Sequence, residues 1–127
     1  MNEDTSHYRY FLYARKSEES EERQILSIGS QKDKIKAVFP NIKIVEVIEE
    51  SKSAFKPYER VKFPSLIQRI RDGEADGIVA WHPDRLSRNE IDAATITYLL
   101  RTGVIKDLKF GSYNFDHTPE GIMMLQM

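Results

Sequence analysis

Cysteine is absent from the 127 residues, which excludes a disulfide framework and any thiolate metal site. No apolar run approaches the roughly 18–20 residues needed to cross a bilayer. The N-terminus also lacks the apolar core of a secretory signal. These absences lead to the expectation of a cytoplasmic protein with no membrane partner. Net charge is −1, so the chain as a whole carries no basic footprint for nucleic acid. If the chain acts on nucleic acid, another domain or a partner is therefore expected to supply most of the affinity. There is no glycine-rich phosphate loop, which argues against nucleotide binding of the P-loop or dinucleotide type. No G-x-S-x-G elbow is present, and His7, His82 and His117 fall at neither triad nor metal-ligand spacing. Carboxylates are plentiful but form no tight pair in a predicted strand-end loop, which weakens a metal-dependent phosphodiesterase reading.

What is present suits one folded domain: 40% hydrophobic and 31% charged residues, enough to bury a core. Tyr8 to Ala14 is rich in aromatics and β-formers and predicts a first strand. The polar, acidic run Glu18 to Arg23 reads as a solvated loop or a fraying helix start. Ile28, Ile35, Val38 and Phe39 recur at helical spacing up to Pro40. Ile42 to Ile48 alternates as a second strand, and Glu49 to Glu59, which holds Pro57, predicts a loop. Phe63, Leu66, Ile67 and Ile70 fall at i, i+3, i+4 and i+7, with Pro64 tolerable only in the first helical turn. Gly73 should end that helix before a third strand, Gly77 to Trp81. Ile91, Ala94, Tyr98 and Leu99 mark another helix stopped by Gly103, and Lys106 to Phe110 is a weaker fourth strand. The alternation predicts an α/β fold with a mostly parallel sheet of about four strands and helices on both faces. Thr118–Pro119–Glu120 is a helix start, with Thr as N-cap and Pro at N1. Ile122 to Met127 is almost wholly apolar, so this last helix is expected to be truncated here and to need a buried environment.

The stretch Ile78 to Asn89 holds the densest chemistry. A short apolar strand leads into Asp84, Arg85 and Arg88, and Asn89 is a plausible N-cap for the following helix. The carboxyl end of a strand is where an open α/β sheet keeps its ligands. Arg presents a planar fork of donors suited to phosphate oxygens. The alternative is a solvated loop joining strand to helix, with His82, before Pro83, structural. Arg15 and Ser17 follow the first strand and should lie near that same end if strands one and three are neighbours. Arginines around a serine would stabilise both an alkoxide and the charge of a phosphoryl transition state. A lone serine there is otherwise a cap or turn residue.

Tyr13–Ala14–Arg15–Lys16–Ser17 and Asp84–Arg85–Leu86–Ser87–Arg88 together resemble the catalytic domain of the serine recombinase (resolvase/invertase) family. Ser27–Ile28–Gly29–Ser30–Gln31 is similar to that family's S-I-x-x-Q helix, and Glu50 to Ala54 to its D-x-x-S-G loop, with Glu for Asp and Ala for Gly. Arg60–Val61–Lys62–Phe63 resembles R-P-x-F without the proline. The resemblance runs from Tyr10 to Met127, and the long, acidic segment after Ser17 looks most like the large serine recombinases of phages and mobile elements.

The resemblance implies a site-specific DNA recombinase in which Ser17 attacks a DNA phosphodiester and becomes joined to the 5′ phosphate. Strand exchange and religation follow, with no metal, ATP or other cofactor. It makes Arg15, Arg60, Arg85 and Arg88 a clamp on the non-bridging oxygens and has Asp84 orient an arginine. Gln31, Ser53 and Glu50 become phosphate-positioning residues. The group that protonates the leaving 3′ oxygen stays open, with Arg88 and Asp84 the pair considered. By the same resemblance residues 1–127 form the N-terminal catalytic domain, with 8–117 as its α/β core and 118–127 as the start of an interface helix. The DNA-binding region lies outside this chain, double-stranded DNA is reached through it, and the full-length protein is a homodimer or tetramer. The isolated stretch is expected to be inactive. Two other readings remain: a recombinase-like assembly module without chemistry, and a flavodoxin-like domain that binds a phosphorylated ligand.

Overall fold

The computed structural model describes residues 6–16, 27–51 and 60–112. The chain alternates strand and helix: β1 (Arg9–Arg15), α1 (Ile28–Val38), β2 (Lys43–Glu50), α2 (Lys62–Arg71), β3 (Gly77–Ala80), α3 (Pro83–Leu86), α4 (Glu90–Arg101) and β4 (Asp107–Phe110). The strands form one sheet in the order β2-β1-β3-β4, and all three pairings are parallel. From β1 the chain moves outward to β2, and from β3 it moves outward the other way to β4. The point where direction reverses therefore lies between the central strands β1 and β3. That is where a crevice opens at the carboxyl ends of an open α/β sheet.

Alternation along β1 divides the core into two layers. Phe11 and Tyr13 face one side with Ile78, Ala80, Leu108 and Phe110, where α2 and α4 cover them with Phe63, Leu66, Ile67, Ile70, Ile96, Leu99 and Leu100. Tyr10, Leu12 and Ala14 face the other side with Val79, where Ile35 of α1 packs on them. This is the two-faced arrangement expected of strands buried on both sides. Gly73 and Gly103 follow α2 and α4 with φ of 85° and 84°. That left-handed conformation is open to glycine and ends a helix cleanly. Pro64 falls in the first turn of α2.

Four expectations need correction. β2 does not stop at Ile48: Glu49 and Glu50 pair with Ala14 and Arg15 of β1, so the predicted loop begins later. The segment after β3 is not all loop, because Pro83–Leu86 forms one helical turn, capped by the His82 side chain accepting from the Asp84 N–H. On α4 the expected apolar stripe is largely outside: Ile91, Ala94 and Tyr98 are exposed, while Ala93, Ile96, Leu99 and Leu100 are buried. The helix has apolar residues on two faces, and Ile96 and Leu100 lie on the one that meets the sheet. Val38 of α1 is likewise exposed. The last helix expected from Thr118 lies outside the described residues. Among those that are described, no helix is long and apolar enough to cross a membrane.

Candidate active site

Arg15 ends β1, and α3 follows β3, the strand beside it, so the parallel pairing brings the two arginine-bearing segments together. Their guanidinium groups interlock through main chain. Arg15 Nε donates to the Arg85 carbonyl (2.9 Å) and Arg15 Nη2 to the Asp84 carbonyl (2.8 Å). Arg85 Nη1 in turn donates to the Arg15 carbonyl (3.1 Å). Both side chains are fully buried. Burying a charge is costly unless it is hydrogen-bonded, and this reciprocal clasp supplies carbonyl acceptors while fixing α3 to the end of β1.

Gln31, in the first turn of α1 and also fully buried, reinforces that strand end. Its Nε2 donates to the Arg15 carbonyl (2.9 Å) and its Oε1 accepts from the Arg15 N–H (3.4 Å). The amide thus pairs with Arg15 much as another strand would. Ser27 caps α1, its hydroxyl accepting from the Ser30 N–H.

Asp84 and Arg88 lie nearer the surface, both half-buried. Asp84 Oδ1 accepts from Arg85 Nε (3.1 Å) and lies 3.2 Å from His82 Nδ1. Burial works against ionising Asp84, yet the hydrogen bond and charge of Arg85, followed by the charge of Arg88, hold its carboxyl below the usual range. The expected pairing of Asp84 with an arginine is therefore seen, with Arg85 as the partner. Asn89 caps α4 as its sequence position suggested, accepting from the Asp92 N–H (2.9 Å).

Glu50 and Arg60 lie deeper. The Glu50 carboxylate accepts from the N–H groups of Val61 (3.1 Å), Lys62 (2.9 Å) and Phe63 (3.0 Å). It supplies the cap that Val61, in helical conformation and without a side-chain cap, does not. It also accepts from the Tyr13 hydroxyl (3.0 Å). Through these bonds Glu50 holds the start of α2 in place. Arg60 is buried as well: Nη1 donates to the Leu86 carbonyl (2.5 Å) and the Tyr13 hydroxyl (3.2 Å), and Nη2 to Asp92 Oδ2 (2.7 Å). The guanidinium stacks on the Phe63 ring at 3.7 Å from its centroid. Burial is the main cause that pushes the Tyr13 phenol well above its usual range, with Arg60 opposing and Glu50 adding to the shift.

The structure thus brings Arg15, Gln31, Asp84, Arg85 and Arg88 to one end of the sheet, with Glu50 and Arg60 beneath them. Ser17 and Ser53 lie outside the described residues. Sequence reasoning missed Tyr13 and Asp92, which join the buried layer. Tyr13 reads as a strand aromatic, and Asp92 as an acidic first-turn residue, so neither advertises a polar partner. Among the described residues no group of three or more His, Asp or Glu is placed to hold a metal ion.

The family model for the resolvase N-terminal domain matches residues 10–127. The chain belongs to this family. Solved structures agree on the fold. The N-terminal catalytic domain of TP901-1 integrase is 22% identical with a TM-score of 0.69, the match covering 92% of this chain and 88% of that one. A serine recombinase from Sulfolobus solfataricus is 20% identical with a TM-score of 0.62, covering 92% and 76%. The C-terminal catalytic domain of ISC1926 TnpA, an IS607-like serine recombinase, is 23% identical with a TM-score of 0.59, covering 80% and 67%. No curated protein matches the chain. The chain thus pairs membership of the resolvase N-terminal domain family with the fold of these serine recombinase catalytic domains.

Proposed function

We propose that this domain cleaves and rejoins DNA through a covalent serine intermediate, with Ser17 as nucleophile. The Ser17 oxygen attacks the scissile phosphorus and its proton is given up. The phosphorus–3′-oxygen bond breaks, and the 3′ oxygen leaves as a hydroxyl. One phosphoester replaces another, so a 3′ hydroxyl from the exchanged strand can reverse the step without ATP. Arg88, Arg85 and Arg15 offset the charge on the non-bridging oxygens, a task that metal ions perform in other phosphoryl-transfer enzymes. Asp84 orients Arg85, and Gln31 holds the strand end that leads to Ser17. Ser53 belongs to the same reading as a phosphate-positioning hydroxyl.

One observation carries this reading: the arginines converge at the switch point between β1 and β3, two residues before Ser17, in a chain of this family. The catalytic core is residues 8–117. Residues 118–127 belong, on this reading, to an interface for a homodimer or tetramer, and double-stranded DNA is held mainly through regions beyond this core.

The test uses the full-length protein, wild type against Ser17→Ala, incubated with duplex DNA fragments of its source genome. The reading expects an adduct that survives denaturation, disappears with protease and carries a blocked 5′ end, with wild type alone. Equal adduct from Ser17→Ala removes Ser17 from the role. Intact DNA binding without any adduct favours an assembly module instead.

A further inference from the structure

Arg60 and Asp92 form an enclosed ion pair, their side chains 2% and 12% exposed. Arg88, by contrast, is half-buried. The hydrogen bonds of Arg60 reach three separate elements: the Tyr13 hydroxyl of β1, the Leu86 carbonyl at the end of α3, and the Asp92 carboxylate of α4. The same Asp92 Oδ2 accepts from Asn89 Nδ2 (2.8 Å), and the Ser87 hydroxyl donates to the Asn89 carbonyl (3.3 Å). Arg60 and Asp92 therefore grip both sides of the four residues Leu86, Ser87, Arg88 and Asn89. Arg88 is the half-buried cation in the middle.

We propose that Arg60 is a positioning residue and not a phosphate ligand, that Asp92 is its anchor, and that the pair acts by fixing the Leu86–Asn89 segment that aims Arg88. The inference rests on the reading of Arg88 as a phosphate-contacting group. A guanidinium with a carboxylate, a carbonyl, a phenol and a ring already around it would have to give up buried partners to reach an anion. Leaving any of them unsatisfied is expensive. An anchor with a fixed planar fork also explains why arginine stands here: lysine, a point charge on a flexible stem, cannot hold three directions at once.

Two experiments on the full-length protein test this. In the first, inorganic phosphate is titrated into the wild-type protein while guanidinium N–H signals are followed by NMR, assigned with Arg60→Lys and Arg88→Lys. The Arg88 signal is expected to shift saturably and the Arg60 signal to stay put and exchange slowly with water. A saturable Arg60 shift that persists in Arg88→Ala overturns the proposal. In the second, Asp92→Asn is combined with Arg88→Ala and the rate of covalent adduct formation is measured at saturating DNA. Alone, Asp92→Asn should slow the step about tenfold with DNA affinity unchanged, a coupling within the range for contacting networks. In the Arg88→Ala background it should slow it less than about twofold. Equal slowing in both backgrounds overturns the proposal. If no Ser17-dependent adduct forms at all, the recombinase reading fails, while the phosphate titration still decides the role of Arg60.

Discussion

The two ends of the sheet use the same residue types to opposite effect. At the amino end, Asp76 accepts from the Arg9 N–H (2.8 Å) and Arg9 Nε (3.2 Å), with Lys106 Nζ 3.5 Å away. The Tyr10 hydroxyl donates to Asp107 (2.6 Å), with Lys109 Nζ 3.5 Å from the same carboxylate. Three cations there share two carboxylates. At the carboxyl end, Arg15 and Arg85 donate to main-chain carbonyls, and Asp84 is the carboxylate standing among them and Arg88. A carbonyl satisfies a guanidinium's hydrogen bonds without cancelling its charge. At the amino end carboxylates offset most of the cationic charge, whereas at the carboxyl end the carbonyls leave the charges of Arg15 and Arg85 in place for an incoming anion.

If that contrast is right, mutations should separate stability from chemistry according to the end they strike. The largest stability loss should come from the buried layer that supports the charged end. Arg60→Ala leaves the Asp92 carboxylate enclosed without its partner, which costs about 3–5 kcal/mol. Urea denaturation measures it, and a loss below 1 kcal/mol would mean that water or another cation reaches Asp92. Next comes Arg88→Ala, whose effect should be confined to chemistry. Removing a charge-stabilising donor lowers the rate by roughly 10²–10³, whereas stability at a half-buried site should change within about 0.5 kcal/mol. Adduct kinetics and a melting curve on the same sample check both halves. An unfolded Arg88→Ala would erase the distinction between the two ends.

Asp76→Ala is the mirror experiment. It strips Arg9 of its buried acceptor and should cost about 1–3 kcal/mol, with adduct formation unchanged at a temperature where the variant is folded. A catalytic defect in the folded variant would show that the ends are coupled through the sheet.

The layered α/β architecture was legible because its signals are local. Helix spacing at Phe63, Leu66, Ile67 and Ile70 matches the buried face of α2 residue for residue, and the turn residues Gly73, Gly103 and Asn89 sit where their backbone or capping roles place them. α4 was misread because Ile91, Ala94 and Tyr98 form a stripe as regular as the buried one. Periodicity alone does not say which stripe meets the sheet. Of the site, the arginine cluster could be read from strand-end placement, since parallel neighbours bring their carboxyl ends together. The division of labour within it could not. Whether an arginine faces an anion or a carbonyl depends on partners distant in sequence, as in the link from Arg60 to Asp92 and Leu86. Glu50 shows the same limit: its place in a motif does not reveal that three backbone N–H groups at the start of α2 bind its carboxylate.

The smallest effect expected is in acid, and it distinguishes the ends by which carboxylate carries it. Burial works against ionising Asp76, but the backbone N–H, guanidinium hydrogen bonds and charge of Arg9, then Lys106, hold its carboxyl below the usual range. Asp84 is lowered too, chiefly through Arg85 in opposition to its burial. A depressed native pKa means that the unfolded chain takes up protons first as pH falls. The stabilisation from each group is complete above the unfolded value, about 3.9, and is lost as pH drops through the lower native value. Stability of the wild type should therefore decline steeply below about pH 4. Asp76→Asn should flatten that limb, and so should Asp84→Asn, but to a smaller degree, because the half-exposed Asp84 is better screened by solvent and salt. Denaturation midpoints across that pH range decide the order. A larger flattening from Asp84→Asn would place the tighter charge pairing at the carboxyl end and reverse the contrast between the two.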